Sequence, residues 1–199
     1  MSKIKICGLS RTCEIDYVNE AMPDYIGFVF AKSRRSVSAI EAEQLRMQLK
    51  APIIPIGVFT NSPIYEIESL YRKGIISIAQ LHGTETEAYI KQLKKSCDIP
   101  VIKVIKVKEK ESLGLLEPSI ADFFLFDNYK GGSGHSFDWD SIPQCEKPFF
   151  LAGGINCSNL EQAISYHPYC VDISSGAETN GIKDQEKIME LVKRIEFTY

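Results

Sequence analysis

The chain has 199 residues, 44% of them apolar, and a formal net charge of −3. These values are typical of one globular domain, and the charge excludes a chain-wide attraction to nucleic acid or to an anionic membrane surface. The longest apolar runs are far shorter than the ~20 residues of a membrane span, and the N-terminus lacks the apolar core of a signal peptide. We therefore expect a single domain over residues 1–199, in a cytoplasmic protein that is a monomer by default and binds neither nucleic acid nor membrane.

Eight short apolar runs alternate with eight amphipathic stretches along the chain. The runs predict strands at 3–7, 25–30, 53–59, 75–81, 101–105, 123–126, 149–152 and 170–173. The stretches predict helices at 10–21, 38–50, 62–73, 85–96, 109–117, 139–145, 156–166 and 184–197. Strands that alternate with helices pair in parallel, so eight units predict an α/β fold, the closed (β/α)₈ TIM barrel. An open doubly wound sheet is the alternative, but no Gly-x-Gly-x-x-Gly fingerprint follows the first run.

Cys7 ends the first predicted strand, where a barrel enzyme places its chemistry. We expect the other five cysteines to be free thiols that pack as small apolar residues. Side chains alternate along a strand, so Cys7 shares a face with Lys5 and points into the barrel at its active-site end. A neighbouring cation favours the thiolate, and we hypothesise that Lys5 lowers the pKa of Cys7 in this way. The alternative is that Cys7 is buried and inert.

Asp127 directly follows the apolar run 123–126. Such a run should remove water from the carboxyl group and favour its neutral form, which a general acid needs. Aspartate is also common in turns, so a turn or helix-cap role is the alternative.

Glycines and serines follow the seventh and eighth predicted strands, where this fold usually binds phosphate. Gly153 and Gly154 expose backbone N–H groups, and a short helix starting near Ser174, with Ser175 and Gly176, would add donors at its positive end. We therefore predict a site for a small phosphorylated molecule, with two ordinary turns as the alternative.

Three other candidates lie at strand ends or in the loops that follow. One arginine of the pair Arg34 and Arg35 has the geometry to hold a carboxylate bidentately, although paired arginines are also common on solvated surfaces. His82 and Asp172 lie at the ends of the fourth and eighth strands and are candidates for substrate contact, although a lone histidine is more often structural.

These residues, in this order, resemble the phosphoribosylanthranilate isomerase family along the whole chain. The resemblance begins with Lys-Ile-Cys-Gly-Leu at 5–9 and Ser-Arg-Arg-Ser-Val at 33–37, and it includes Gln-Leu-His-Gly at 80–83. Further matching segments are 27–30, 57–59, 127–134, 137–139, 151–155, 159–160, 171–176 and 181–184. The resemblance implies a TIM-barrel enzyme of tryptophan biosynthesis without metal or organic cofactor. Its reaction is the Amadori rearrangement of N-(5-phosphoribosyl)anthranilate to 1-(2-carboxyphenylamino)-1-deoxyribulose 5-phosphate.

The resemblance also implies roles for the candidates. Asp127 would protonate the ribose ring oxygen to give a Schiff base, and Cys7 would then take the C2 proton. Arg35, assigned by its spacing to Val37, would hold the anthranilate carboxylate, with Arg34 as the alternative. The loops at 153–154 and 174–176 would bind the phosphate. Separately from the resemblance, the glycine content of the loop at 131–134 is compatible with closure over the substrate, a point that the sequence leaves open. Another sugar-phosphate isomerase of this fold and a non-catalytic phosphate-binding barrel are the alternative functions.

Overall fold

The strands form one closed parallel barrel. The computed structural model describes residues 2–107, 118–128 and 138–197. Each strand pairs with the next along the chain, and the eighth pairs with the first. The strands are β1 (Lys3–Cys7), β2 (Tyr25–Val29), β3 (Ile54–Phe59), β4 (Ile78–Leu81), β5 (Val101–Val107), β6 (Phe123–Asn128), β7 (Phe149–Leu151) and β8 (Cys170–Ile173). The closure confirms the predicted TIM barrel and rules out the open sheet.

Helices pack on the outer side of this barrel. They are α1 (Thr12–Ala21), α2 (Ala39–Gln48), α3 (Ile64–Arg72), α4 (Glu87–Ser96), α5 (Leu160–Ser165) and α6 (Gln185–Phe197). The predicted helix at 109–117 lies outside the described residues. None of the helices in the described ranges has the length and apolar character needed to cross a membrane.

The start of α2 shows how the local sequence sets a helix boundary. The Ser38 hydroxyl accepts a hydrogen bond from the backbone N–H of Glu41 at 3.2 Å, and the Glu41 carboxylate accepts one from the Ser38 N–H at 2.7 Å. This reciprocal capping box satisfies two donors that the first helical turn leaves unpaired.

The alternation of side chains along each strand separates two apolar layers. Ile4 and Ile6 of β1 are buried in the outer layer, between the barrel and the helices. The inner layer fills the barrel and includes Ile56, Leu125 and Phe150. Lys5 points into the barrel with no exposed surface, as its strand position predicts.

The prediction of a helix at 139–145 is wrong. Only one 3₁₀ turn forms there, at Trp139–Ser141. Pro143 disfavours helical geometry at the preceding residue, and Ile142 is extended, with φ −68° and ψ 124°. The helix therefore cannot continue past its first turn.

Two other elements begin three or more residues later than predicted. The strand predicted from residue 75 begins at Ile78, because Gly74 takes a positive φ of 69° and the Ile75 N–H bonds back to the Leu70 carbonyl at the end of α3. The helix predicted from residue 156 begins at Leu160. There the Asn159 side chain accepts a hydrogen bond from the Asn156 N–H at 2.8 Å and holds a turn instead.

Candidate active site

A cavity of about 300 Å³ opens at the carboxyl ends of the strands. It is lined by residues of six strands, by loops that follow them, and by the loop after β7. The lining residues include Cys7, Arg35, Gln80, His82, Asp127, Gly153, Gly154, Asp172, Ser174 and Ser175. A wider cleft of about 810 Å³ lies beside Phe124 and Phe149, near the amino ends of β6 and β7. Since barrel enzymes place their chemistry at the carboxyl ends, the smaller cavity is the candidate active site.

Cys7 lies on one wall of this cavity, at the end of β1, and is 8% exposed. It is directly opposite Gly27 of β2 in the strand pairing. A Cβ atom at Gly27 would lie 2.6 Å from the Cys7 sulfur and 3.2 Å from Cε of Lys5. The absence of a side chain at Gly27 therefore leaves room for both the thiol and the lysine.

Lys5 is held inside the barrel below Cys7. Its ammonium group donates to Oε1 of Gln80 at 2.7 Å and to Oδ2 of Asp172 at 2.9 Å. Burial alone would lower the pKa of Lys5, but the charges of Asp172 and Cys7 outweigh it, and the pKa is raised. Lys5 is therefore a permanent cation next to the thiol.

The pKa of the Cys7 thiol is the result of opposing effects. Burial raises it, the Lys5 charge lowers it, Asp172 raises it and Lys183 lowers it; the net result is a raised pKa. The direction assigned to Lys5 from the sequence thus agrees with the structure, although burial has the larger effect. At neutral pH the ligand-free protein carries Cys7 as a thiol.

Asp127 lies on β6 and is 8% exposed. One carboxylate oxygen accepts a hydrogen bond from the Asn128 N–H at 2.8 Å, and the other lies 3.4 Å from Nε2 of His82. Nδ1 of His82 lies 3.4 Å from the side-chain nitrogen of Gln80. The Gln80 side-chain oxygen also accepts a hydrogen bond from Lys5. A series of polar contacts therefore crosses the barrel from Lys5, below Cys7, to Asp127.

The loops after β7 and β8 lie against each other at the predicted phosphate site. Gly153 and Gly154 both have positive φ, 89° and 72°, which glycine adopts without strain. Ser174 precedes a 3₁₀ turn at Ser175–Ala177, close to the short helix expected there. A Cβ atom at Gly176 would lie 1.9 Å from the Ile155 carbonyl oxygen, so Gly176 packs behind the cavity and is not part of its lining.

The two arginines after β2 have different surroundings. The Arg35 side chain is 15% exposed and lines the cavity, whereas the Arg34 side chain is 53% exposed and donates to the Gly181 carbonyl at 3.0 Å. Both bond to Glu178, which begins a short hairpin of β9 (Glu178–Thr179) and β10 (Ile182–Lys183). Burial acts to raise the pKa of Glu178, but bonds from Arg35 and Lys183 outweigh it and lower the pKa to about 2.

The structure thus brings most of the sequence candidates to one cavity, whereas Gly176 and Arg34, the alternative to Arg35, do not line it. Sequence reasoning assigned no role to Glu178 or Lys183, which bond to each other at 2.6 Å. Arg35 and Glu178 are 143 positions apart, so no local pattern connects them. The glycine-rich loop at 131–134 lies outside the described residues.

No cluster of three or more His, Cys, Asp or Glu side chains with the geometry of a metal site occurs within residues 2–107, 118–128 and 138–197. The cysteines at 7, 13, 97, 145, 157 and 170 are free thiols. The cavity brings together a buried thiol, a buried carboxyl group, an arginine and two loops that contain glycine and serine.

Comparisons of the sequence and of the fold with known proteins point to one enzyme family along nearly the whole chain. A family model described as N-(5'phosphoribosyl)anthranilate (PRA) isomerase matches residues 4–194. The N-(5'-phosphoribosyl)anthranilate isomerase of Endomicrobium trichonymphae is 47% identical over 198 residues, covering 97% of this chain and 98% of its own.

Two solved structures are each 28% identical and each cover 98% of this chain and 99% of their own. One is a monomer generated from the dimeric phosphoribosylanthranilate isomerase of Thermotoga maritima, with a TM-score of 0.80. The other is a phosphoribosylanthranilate isomerase in complex with reduced 1-(o-carboxyphenylamino)-1-deoxyribulose 5-phosphate, with a TM-score of 0.79.

Proposed function

Because the chain belongs to the N-(5'-phosphoribosyl)anthranilate isomerase family, we propose that it catalyses the Amadori rearrangement of N-(5'-phosphoribosyl)anthranilate in tryptophan biosynthesis. The observation that carries this proposal is the placement of Cys7 and Asp127, both buried, on one cavity that also includes Arg35 and the loops after β7 and β8. A thiol, a carboxyl, an arginine and anion-binding loops correspond to the two proton transfers and the two anionic groups of this substrate.

The first step opens the ribose ring. Asp127 gives its proton to the ring oxygen as the bond between that oxygen and C1 breaks, and the nitrogen lone pair forms the C=N bond of a protonated Schiff base. His82, 3.4 Å from the Asp127 carboxylate, orients the acid. Asp127 is left ionised.

The second step removes the proton from C2. Cys7 reacts as the thiolate, which is the minor form at neutral pH because the pKa of the thiol is raised, and takes this proton. The electron pair of the C–H bond forms the C1=C2 bond of an enolamine while the iminium charge is neutralised. The enolamine then becomes the ketone as its hydroxyl loses a proton and C1 gains one. Exchange with solvent returns the proton to Asp127 and removes it from Cys7, so the net reaction is an isomerisation.

Lys5 supports the second step. As a permanent cation that bonds to Asp172 and Gln80, it stabilises the thiolate that burial disfavours. Asp172 has a second carboxylate oxygen that is buried and has no hydrogen-bond partner within the described residues, while the residue lines the cavity. We assign this oxygen to a hydroxyl group of the substrate, because a buried acceptor without a partner is costly.

The binding groups act at the two ends of the substrate. Gly153, Gly154, Ser174 and Ser175 bind the phosphate, and Gly176 supports them by packing against the loop after β7. Arg35 holds the anthranilate carboxylate. Its position in the cavity lining favours it over Arg34, whose side chain is half exposed and bonds to Gly181 outside the cavity.

Product analysis tests the reaction directly. The protein is incubated with freshly prepared N-(5'-phosphoribosyl)anthranilate, and the products are separated by liquid chromatography with mass detection. We expect a compound of unchanged mass and new retention time that forms much faster than in an enzyme-free blank. Anthranilate released at the blank rate, with no isomer, would overturn the proposal.

We further propose that the chain is one (β/α)₈ domain, cytoplasmic, and a monomer in solution. The pairing of β1 with β8 supports the single domain, since the first and last strands must meet for the barrel to close. Free thiols at all six cysteines suit a reducing compartment.

A further inference from the structure

Glu178 is a buried carboxylate that joins two loops of the active site. Its side chain is 4% exposed. Oε1 accepts from Nε of Arg35 at 2.6 Å, and Oε2 accepts from a terminal nitrogen of the same guanidinium at 3.0 Å. Lys183 donates to Oε1 at 2.6 Å and to the Ser174 carbonyl at 3.0 Å. Glu178 therefore connects the arginine after β2 to the loop after β8.

The geometry of the guanidinium leaves a second edge for another carboxylate. A guanidinium has five N–H donors in one plane, and Nε with one terminal nitrogen forms the edge that Glu178 occupies. The two terminal nitrogens form the other edge, which also matches a carboxylate bidentately. Arg35 lines the cavity and Glu178 does not, so the two edges serve different partners.

The charges around Glu178 leave the cluster positive. Three cations, from Arg34, Arg35 and Lys183, bond to this one carboxylate. One negative charge does not neutralise three positive charges, so the cluster attracts a further anion even though Arg35 already has a partner. A simple one-to-one ion pair would not do this.

We infer that Glu178 positions Arg35 for the aryl carboxylate, and so determines the preference of the site for an amine that carries this group. The inference rests on the proposed function, since it assumes that a phosphorylated arylamine sugar occupies the cavity. Glu178 acts through Arg35 and does not contact the substrate itself. Without its charge, the three cations repel each other and Arg35 loses the partner that holds its plane.

A pair of ligands separates this role from general support of the fold. The first ligand is reduced 1-(2-carboxyphenylamino)-1-deoxyribulose 5-phosphate, and the second is the phenylamino analogue that lacks only the carboxylate. Dissociation constants for both are measured by isothermal titration calorimetry with the wild type, Glu178→Gln and Glu190→Gln. The last variant is the matched control, because Glu190 pairs with Arg194 on the exposed side of α6.

We expect the wild type and the control to bind the carboxylated ligand at least tenfold more tightly than its analogue. In Glu178→Gln this preference should fall to threefold or less, with affinity for the analogue nearly unchanged. An equal loss of affinity for both ligands would overturn the inference in favour of a structural role, and so would an unchanged preference. A wild type that binds neither ligand would instead overturn the proposed function.

Two further variants keep the test decisive if Glu178→Gln does not fold. Glu178→Asp keeps the negative charge among the cations but withdraws the carboxylate by one methylene, and it should also lower the preference. In an Arg35→Ala background, Glu178→Asp should change the preference no further, because the residue through which it acts is absent. A further drop in that background would contradict the inference.

Discussion

Cys7 combines a buried position with a cationic neighbour, and the two have opposite effects on its proton. Burial raises the pKa of the thiol, and the Lys5 charge lowers it. The group is neutral at pH 7, and the thiolate fraction rises as the pH approaches the raised pKa. Any reaction that needs the thiolate should therefore accelerate with increasing pH across the range above neutrality.

Replacing Lys5 by a neutral residue should move the pH range in which the Cys7 thiolate forms to higher pH. In Lys5→Met the pKa of Cys7 should rise, because the opposing charge is lost and Asp172 is left without its partner. Iodoacetamide labelling against pH, followed at the Cys7 peptide by mass spectrometry, measures the shift. Lys3→Met is the control, since Lys3 lies on the same strand face but packs over the rings of Tyr25 and Tyr169. An unchanged labelling curve in Lys5→Met would show that Lys5 does not lower the pKa of Cys7.

Gly8 affects the site through Arg35. It has a φ of +85°, and a Cβ atom there would lie 2.4 Å from Cδ of Arg35. Gly8→Ala should therefore cost ~1–2 kcal/mol in backbone strain and also displace the arginine stem, with a rise in KM of tenfold or more. Gly74→Ala is the matched control, since Gly74 has a φ of +69° but no heavy atom within 4 Å of the added carbon. Equal KM values for the two variants would show that Arg35 is not displaced.

At the scale of elements, the loops after β7 and β8 together make up the proposed phosphate site, because their backbones lie in contact. Gly176→Ala places a carbon 1.9 Å from the Ile155 carbonyl oxygen, and no side-chain rotation relieves a contact with backbone. The loops must separate, so affinity for inorganic phosphate should fall at least tenfold, with ~1–3 kcal/mol lost from the free energy of unfolding. Titration calorimetry measures the affinity, and thermal unfolding measures the stability.

Gly83→Ala controls for crowding alone. Gly83 lies in the loop after β4, away from the loops after β7 and β8. Its added carbon would lie 2.6 Å from the Asn61 side chain. We expect lower stability with unchanged phosphate affinity. A similar loss of phosphate affinity in both variants would mean that the contact between the two loops is not specific to the site.

The elements also show which features local sequence determines. Strand positions followed from runs of apolar residues, because a parallel strand is covered on both faces. The predicted helix at 139–145 does not form, because Pro143 disfavours helical geometry at Ile142. The late start of α5 depends on the hydrogen bond that the Asn159 side chain accepts from the Asn156 N–H.

The placement of Cys7 and Asp127 at one cavity was predictable, because side chains at the carboxyl ends of barrel strands converge. The bond between Arg35 and Glu178 depends on the closed barrel and has no local signal.

At the scale of the whole molecule, closure of the barrel uses both ends of the chain. β1 pairs with β8, and α1 packs against α6. We expect the chain to unfold as one cooperative unit, with calorimetric and van't Hoff enthalpies that agree. Two separated transitions would contradict the single domain.

The proposed monomer requires that the exposed apolar side chains on the outer helices do not join two barrels. The large exposed apolar side chains include Ile40 and Met47 on α2 and Tyr65 on α3. We expect light scattering after size exclusion to give the mass of one 22.4 kDa chain at micromolar concentrations. A mass of twice this value would place the chain with the dimeric Thermotoga maritima protein in this respect.

The most direct test of the account concerns the two proton-transfer groups together. The loss of anthranilate-type fluorescence from fresh N-(5'-phosphoribosyl)anthranilate is followed with the wild type, Cys7→Ala and Asp127→Asn, each corrected for the enzyme-free rate. We predict rapid loss with the wild type and a fall in kcat of roughly 10²–10⁴-fold in each variant, while both still bind the reduced product analogue. Either variant turning over at the wild-type rate would contradict the roles assigned to Cys7 and Asp127.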